Sequence, residues 1–385
     1  MRERLVVLPV LVLVASLLGA ACAGGAEPPA AGRAPAALSV EVVTTGLDHP
    51  WEVQELPAGD LLVTQRSRRT LTFVDGDTGA KRNLAFPSER VWALGETGLL
   101  GLAVDPQFAS NRRIYTCSGW TTPAGRDIRV IAWTLDAGLT RATMARTLRA
   151  ALPTSPIGRH GGCRLLVTSA GALVVGTGDA ARGTNPRNLS SLGGKVLRLN
   201  RFTGAPWPSN PWAGGTGPRR YVLSYGHRNV QGLAQRSDGT IWSVEHGSYR
   251  DDEVNLIGRG RDYGWHPVPG YNESVPMTDP RLPGVQYAAR WRSGDPTIAP
   301  SGAAFVRGSG WGELAGTLAV AVLKGQRLMF LRFDGSGVLR ATHSPAELRT
   351  RGRLRDVTAA RDGSLLVTTD NGDGQDVVLR VRPAS

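Results

Sequence analysis

The sequence predicts an all-β fold, a six-bladed β-propeller, because helix signals are scarce and one strand pattern recurs along the chain. Most apolar residues lie in short runs bounded by Gly, Pro, Asn and Asp, which is typical of strands joined by tight turns. In six places a turn is followed by Gly, or by a substitute, and then by a few strand-forming residues. These copies lie at 59–63, 112–116, 171–175, 239–243, 316–320 and 363–367.

The spacing of the copies favours a propeller over other all-β folds. Successive copies are roughly fifty to eighty residues apart, the scale of one four-stranded blade with its loops. An Asp precedes the Gly at 238–239 and 362–363, which fits a hairpin turn. A pair of β-sandwiches is the alternative, but a sandwich has no reason to repeat one hairpin at this interval. In a propeller the site is built from loops of many blades, so we expect its residues to be scattered along the chain.

The first 22 residues resemble a bacterial lipoprotein signal. Arg2 and Arg4 precede an apolar run at 5–18, which is too short to span a bilayer, and small residues at 19–21 stand before Cys22. We therefore expect cleavage before Cys22 and lipid attachment to its side chain. A plain secretory signal is the alternative.

The residues after this signal divide into a tether and a folded body. Residues 23–38 are rich in Ala, Pro and Gly and have no apolar periodicity, which predicts a flexible tether. Residues 39–385 remain for the propeller. We expect an exported protein that is anchored by lipid to the outer face of the cell membrane.

Two further cysteines bear on the compartment. Cys117 and Cys163 are the only ones besides Cys22, and in an oxidising compartment a disulfide between them is expected. Two buried free thiols are the alternative, since sequence alone does not show that they meet.

The formal net charge of +13 raises the question of a nucleic-acid partner. The basic residues are nearly all Arg and are spread along the chain, without the clustering of a nucleic-acid surface. An exported protein also rarely meets nucleic acid, so we expect no such partner. The surplus charge suits an anionic ligand.

One stretch, residues 225–265, is unusually dense in polar groups. It contains His227, His246 and the acidic run 251–253. Ordering so many polar groups is costly unless they bind something, so the stretch predicts part of a binding site. An ordinary polar connection between strands is the alternative.

Other chemistry-bearing residues lie far from this stretch. His160 is followed by two glycines at the entrance to a strand, where it could be a base or a turn residue. Arg353 and Arg355 are two apart, so in a strand they share a face. Two guanidinium groups on one face repel each other unless an anion lies between them, although a surface pair remains the alternative.

The motifs resemble, over nearly the whole mature chain, the soluble sugar dehydrogenases that depend on pyrroloquinoline quinone (PQQ), also described as glucose/sorbosone dehydrogenase-like proteins. The matching motifs are, in order, HPW at 49–51, GETGLLGLAVDPQFASNRRIY at 95–115, HGG at 160–162, GD at 178–179, NLSSLGGKVLRLN at 188–200, SYGHRNVQGLA at 224–234, EHG at 245–247, DDEVNLI at 251–257, YGW at 263–265, RLRDV at 353–357 and DNGD at 370–373. The number and order of these motifs make the resemblance specific, and it agrees with the propeller.

The resemblance implies that PQQ lies over the propeller mouth. The positions that match cofactor-binding residues are Glu96, Asp179, Arg228, Asn229, Lys324, Arg353 and Arg355. Several cations suit a tricarboxylate, because Arg offers a bidentate fork to each anionic group. Glu96 stands where the family usually has Gln.

His160 matches the general base of the family, which takes a proton from a sugar hydroxyl as hydride passes to the cofactor. The resemblance also implies a calcium ion, held by the carbonyls of Gly247 and Ser248, with Glu253 and Tyr263 at linked positions. Ser248 stands where the family usually has Pro.

We therefore expect an enzyme that oxidises an aldose or related sugar with PQQ and calcium. The alternative, motivated by Glu96, is a non-catalytic envelope propeller that binds a glycan or a protein partner.

Overall fold

The repeated turn of the sequence starts the second strand of every blade. In the computed structural model, which describes residues 37–384, the residue that opens each copy has a positive φ. The values are 99° at Gly59, 52° at Arg112, 82° at Gly171, 88° at Gly239, 73° at Gly316 and 83° at Gly363. Glycine adopts this conformation without a steric cost, which explains five of the six residues, and Arg112 is the left-handed cap of a short helix.

Six four-stranded antiparallel sheets form the ring, which confirms the predicted six-bladed β-propeller. Blade 1 contains β2 Pro50–Glu55, β3 Leu61–Gln65, β4 Thr70–Val74 and β5 Lys81–Asn83. Blade 2 contains β6 Leu99–Val104, β7 Arg113–Thr122, β8 Gly125–Leu135 and β9 Ala142–Leu152. Blade 3 contains β10 Gly162–Val167, β11 Ala172–Thr177, β12 Lys195–Asn200 and β13 Val222–Tyr225.

The other three blades follow in chain order. Blade 4 contains β14 Val230–Gln235, β15 Ile241–Glu245, β16 Glu253–Ile257 and β17 Trp291–Arg292. Blade 5 contains β18 Pro300–Phe305, β19 Leu318–Val322, β20 Arg327–Phe333 and β21 Leu339–His343. Blade 6 contains β22 Leu354–Ala359, β23 Leu365–Thr369, β24 Asp376–Pro383 and β1 Leu38–Leu47. Helix is confined to α1 Phe108–Asn111 and to 3-10 turns at Ser88–Arg90, Pro218–Tyr221, Ser309–Leu314 and Ala346–Leu348 among the described residues.

Strand β1 closes the ring by joining the last blade. It pairs antiparallel with β24, with Leu38 opposite Pro383 and Leu47 opposite Asp376. The sequence pattern did not predict this pairing, since its six copies mark second strands only. Leu38 was expected to end the tether, and instead it begins β1.

The apolar core lies between adjacent blades, where the faces of neighbouring sheets pack together. Large side chains such as Trp51, Trp133 and Trp242 are almost completely buried there, and each contributes roughly 1.5–3 kcal/mol by its burial. Between blades 2 and 3 the predicted disulfide is confirmed. Cys117 of β7 is bonded to Cys163 of β10, with 5.4 Å between their Cα atoms.

The first strand of each blade lines the central channel. Strands β2, β6, β10, β14, β18 and β22 pack against one another around the ring. Because the second strand of each blade runs antiparallel to the first, residues before a first strand and residues after a second strand lie at the same end of the channel. We call this end the site mouth.

The predicted leader at 1–22 and Cys22 lie outside the described residues, as does most of the predicted tether. Within residues 37–384, none of the helices has the length and apolar character that crossing a membrane requires.

Candidate active site

The site mouth gathers the scattered residues that the sequence singled out. Glu96, His160 and Arg353 stand shortly before the first strands of blades 2, 3 and 6. Asp179 and Lys324 follow the second strands of blades 3 and 5. Antiparallel pairing therefore brings positions far apart in sequence to one end of the channel.

His160 is held by a buried carboxylate. Its Nδ1 lies 2.8 Å from Oδ1 of Asp179, and the two side chains are 3% and 0% exposed. Nδ1 is thus engaged, while no protein hydrogen bond reaches Nε2 from residues 37–384. The arrangement leaves Nε2 as the nitrogen that can accept a proton from a ligand.

Asp179 was expected among the cofactor-binding residues, and its carboxylate has several protein partners. Its Oδ2 accepts hydrogen bonds from Trp265 Nε1 at 2.8 Å and Tyr271 Oη at 2.7 Å, and Oδ1 also accepts one from the backbone N–H of Ala181. With its carboxylate fully buried and hydrogen-bonded to these donors, Asp179 supports His160, and its contact with a cofactor stays a prediction.

Glu96 connects His160 with Asn229. Its Oε2 accepts a hydrogen bond from the backbone N–H of His160 at 2.9 Å and one from Nδ2 of Asn229 at 3.2 Å. The Oδ1 of Asn229 in turn accepts from the backbone N–H of Gly162 and from Nε2 of Gln231. The carboxylate of Glu96, which stands where the family usually has the amide of Gln, therefore has hydrogen-bond donors of its own. It links the loop that carries His160 to Asn229 at the start of blade 4.

Arg228 is nearly buried at the same mouth. Its NH2 group lies 2.5 Å from Oε1 of Glu273, and NH1 donates to the carbonyl of His246 at 3.3 Å. Glu273 also accepts two hydrogen bonds from Arg159, at 2.7 and 2.8 Å. Burial would raise the pKa of Glu273, but the two arginines outweigh it and hold that pKa below its ordinary value.

On the opposite side of the mouth three arginines surround one carboxylate. Arg355 bonds to Oδ2 of Asp370 at 2.8 Å, and Arg353 reaches the same oxygen at 3.6 Å. Burial alone would raise the pKa of Asp370, but Arg355 and the hydrogen bond from His49 hold it well below its ordinary value. Burial and then the nearby charge of Arg355 lower the pKa of Arg66.

These groups line a cavity of about 230 Å³. Its walls are formed by His49, Trp51, Arg66, Glu96, Gln231, His246, Ala299, Leu323, Arg353, Arg355 and Asp370. Lys324, which was also expected to bind the cofactor, is exposed in the turn after Leu323 and stands at the rim of the cavity.

Gly247 and Ser248, the expected calcium ligands, lie in the loop after β15. The backbone N–H of Gly247 donates to Oδ1 of Asp252 at 2.9 Å, and Oδ2 of Asp252 accepts from the backbone N–H groups of Ile298 and Ala299. Within the described residues no hydrogen bond engages the carbonyl of Gly247 or Ser248. These two oxygens fit the hard-oxygen preference of calcium.

Tyr263, also expected to be linked to calcium, has other partners. Its hydroxyl donates to the carbonyl of Leu256 and accepts from the backbone N–H of Gly258, and its ring stacks on His227. The hydroxyl is thus engaged in the interior of blade 4, and the link of Tyr263 to calcium stays a prediction.

Glu253, the first residue of β16 in blade 4, also has protein partners. It is 1% exposed and accepts hydrogen bonds from Asn255 and Thr278. Burial, and then the charge of Glu245, raise the pKa of Glu253 to about 8. Its link to calcium stays a prediction, since its partners here are protein groups.

Sequence reasoning missed several residues of the mouth. The polar groups that were not singled out are Arg66, Tyr271 and Glu273, whereas Gln231, His246 and Asp370 lay in the matched motifs without a predicted role of their own. Arg66 and Asp370 follow the second strands of blades 1 and 6, so the blade pattern could have located both. Tyr271 and Glu273 lie in the long connection between β16 and β17, where no local pattern marks them.

Fold and site together define a propeller that presents a paired histidine beside a cation-rich cavity. The chain belongs to the glucose/sorbosone dehydrogenase family, because the family model described as Glucose / Sorbosone dehydrogenase matches residues 47–380.

Individual relatives agree with this membership. The chain is 30% identical over 359 residues to the aldose sugar dehydrogenase YliI of Escherichia coli strain K12, covering 91% of this chain and 94% of that protein. It is 26% identical to quinoprotein glucose dehydrogenase B of Acinetobacter calcoaceticus, covering 86% and 85%. The PQQ-bound aldose sugar dehydrogenase of Streptomyces coelicolor superposes with a TM-score of 0.73 at 31% identity, covering 90% of this chain and 99% of that one.

Proposed function

We propose that the protein oxidises an aldose or related sugar with PQQ as its cofactor and His160 as the general base. The observation that carries the proposal is the pairing of His160 with Asp179 beside a cavity lined by three arginines. Family membership supports the reaction class, and the PQQ-bound relative supports the cofactor.

The side chains of the mouth fit an anionic cofactor. The Nε atoms of Arg66, Arg228 and Arg355 are buried and have no hydrogen-bond partner among the described residues. Unpaired buried guanidinium donors are costly, and anionic oxygens would satisfy them. Arg353, Arg355 and Lys324 would hold the carboxylates of PQQ, with Arg228 and Asn229 at the quinone edge.

The base needs a defined protonation state. Asp179 accepts from Nδ1–H of His160, which leaves the lone pair on Nε2 to take the hydroxyl proton of the sugar. Bound PQQ would supply a two-electron acceptor for the hydride of the same sugar carbon. The carbonyls of Gly247 and Ser248 would hold calcium, which would supply Lewis-acid polarisation.

Reconstitution tests the proposal directly. The purified protein is titrated with PQQ in the presence of calcium, followed by absorbance, and then assayed for dye reduction with a panel of sugars. We expect saturable PQQ binding and sugar-dependent reduction. Absence of both would rule out the proposed dehydrogenase activity.

The role of His160 has its own test. His160→Ala should keep PQQ binding but lower dye reduction by roughly a hundred- to ten-thousand-fold, because proton transfer is lost. His343→Ala, on the outer strand of blade 5, is the matched control and should behave like the wild type. A non-catalytic binding propeller predicts instead that His160→Ala retains affinity for its glycan ligand and its cellular phenotype.

We further propose that the protein is exported and lipid-anchored through Cys22. The leader features support this, and the Cys117–Cys163 disulfide suits an oxidising compartment. Metabolic labelling with a radioactive fatty acid should mark the wild type and leave Cys22→Ser unlabelled. Equal labelling of both would contradict lipidation at this residue.

A further inference from the structure

A connection within blade 4 reaches His160, the proposed general base, which stands before the first strand of blade 3. It joins β16 to β17 through residues 258–290 and carries Tyr271, whose ring lies 5.8 Å from the ring of His160. The hydroxyl of Tyr271 lies 2.7 Å from Oδ2 of Asp179 and 3.0 Å from Nδ1 of His160. One phenol therefore contacts both members of the proposed base pair.

The direction of these hydrogen bonds follows from the protonation of the phenol. Burial, and then the charge of Asp179, raise the pKa of Tyr271 well above its ordinary value. The hydroxyl keeps its proton and donates it to Asp179, so its oxygen presents a lone pair toward Nδ1 of His160. Both neighbours of Nδ1 are then acceptors, which favours the tautomer that carries a proton on Nδ1 and a lone pair on Nε2.

The same hydrogen bond changes how strongly Asp179 attracts positive charge. A carboxylate that accepts from Tyr271, Trp265 and Ala181 already has its negative charge spread over several donors. It therefore stabilises a protonated His160 less than a carboxylate with fewer donors would. Through its hydrogen bond to Asp179, Tyr271 thus opposes protonation of the imidazole without touching Nε2.

We propose that Tyr271 is a positioning residue: by accepting from Nδ1–H its oxygen selects the tautomer with a free Nε2, and by donating to Asp179 it limits how strongly that carboxylate stabilises the protonated imidazole. The inference rests on the role proposed above for His160. It assigns a function to the blade 4 connection, which carries no motif of the family resemblance at this point.

Other charged groups around the pair bear on its protonation and stay unchanged in the test. They are Glu96, Arg159, Arg228, His246, Glu273 and, through Asp179, Lys195. A substitution that removes only the phenol oxygen therefore isolates the contribution of Tyr271.

The test follows His160 by NMR in protein labelled with ¹³C at histidine Cε1, without PQQ or sugar. The signal is assigned by its loss in His160→Gln. In Tyr271→Phe the titration midpoint of His160 should rise by roughly half to one pH unit, a three- to tenfold gain in proton affinity. Tyr221→Phe, whose ring packs on Arg149 and makes no hydrogen bond to His160 or Asp179, is the control and should leave the midpoint unchanged.

A second readout uses the loaded protein. The acidic limb of kcat/KM against pH should move upward in Tyr271→Phe, in the same direction as the NMR midpoint. An unchanged NMR midpoint in a variant with the wild-type Tm would overturn the proposal. If the wild type neither binds PQQ nor reduces dye while the midpoint still moves, the dehydrogenase function fails and the coupling of Tyr271 to His160 stands.

Discussion

The site mouth and the inside of the channel differ in how many carboxylates surround each arginine. Inside the channel, NH1 of Arg164 lies 2.7 Å from Oδ1 of Asp356 and 3.1 Å from Oε2 of Glu52, and all three side chains are at most 3% exposed. At the mouth, Arg353 and Arg355 share a single carboxylate, Asp370. Asp356 provides one countercharge for the one interior arginine, whereas Arg353 and Arg355 share the single carboxylate of Asp370, so the mouth has cationic charge to offer a ligand.

The difference shows how a structural arginine is told from a ligand-binding one in an arginine-rich chain. The Nε of Arg164 donates to the carbonyl of Gln231 at 2.7 Å, while Nε of Arg355 has no protein partner in the described part of the chain. Local charge balance separates the two roles, although the residue type and the burial are similar. Donor satisfaction alone does not separate them, because Nη2 of Arg164 also lacks a hydrogen-bond partner among the described residues.

Removing the interior arginine should have the largest effect. Arg164→Met leaves Asp356 buried without its countercharge, so we expect the free energy of unfolding to fall by about 3–5 kcal/mol. Urea unfolding measures the loss. Arg146→Met, on the exposed strand β9, is the control and should change stability by less than about 0.5 kcal/mol. Equal losses in both variants would contradict a structural role for the interior cluster.

The interior cluster should also show in the pH dependence of stability. Burial, and then the charge of Asp356, raise the pKa of Glu52 to about 8, so the folded protein keeps a proton that the unfolded chain releases. From about pH 5 to pH 7 this group lowers stability by roughly 1.4 kcal/mol per pH unit as pH rises. Glu52→Gln should reduce that slope, leaving the part due to Glu253. Urea unfolding of both proteins across this range checks it, and identical slopes would be the contrary result.

At the mouth the same kind of change should weaken binding and spare stability. Arg353→Gln removes a half-exposed cation, so we expect the affinity for PQQ to fall about tenfold, or roughly 1.4 kcal/mol. Fluorescence titration with PQQ measures the affinity, and Arg146→Gln is the control. A large loss of stability with unchanged PQQ affinity would reverse the comparison between the two regions.

The smallest effect is expected at the rim. Lys324 is exposed, so Lys324→Gln should lower PQQ affinity only a few-fold, and the difference should shrink at high salt. Lys81→Gln is the matched control, because the ammonium group of Lys81 donates to the carbonyl of Thr45 on the outside of the ring. Titrations at two ionic strengths separate the variants. A salt-independent loss at Lys324 would mean that its contact with the cofactor is buried.

The sequence predicts the blade count and one edge of the site, because both follow from local rules. A residue with positive φ before each second strand is a requirement of each turn, so the repeat is visible without knowledge of the ring. The blade pattern also predicts which positions lie just before the first strands, at the mouth. His160, Arg228 and Arg353 stand at such positions. The pairing of β1 with β24 and the reach of Tyr271 to Asp179 depend on contacts between distant segments, and neither leaves a local pattern.

The fate of single site residues also depended on packing that sequence does not specify. Asp179 and Tyr263 both carry oxygen atoms suited to a ligand. In the folded protein the carboxylate of Asp179 is hydrogen-bonded to Trp265, and the hydroxyl of Tyr263 is hydrogen-bonded to the carbonyl of Leu256. Only the three-dimensional arrangement distinguishes a group that faces the cavity from one that supports it.

The closure of the ring by β1 and β24 has a consequence for the order of folding. Strand β1 is synthesised before any of the six blades, yet its partner is the last strand to emerge. Until then β1 presents an unpaired edge, and blade 6 lacks its outer strand. Five blades can form as the chain grows, but completion of the ring must wait for a contact between Leu38 and Pro383. Nascent chains are therefore exposed to edge-to-edge association until β24 has been synthesised.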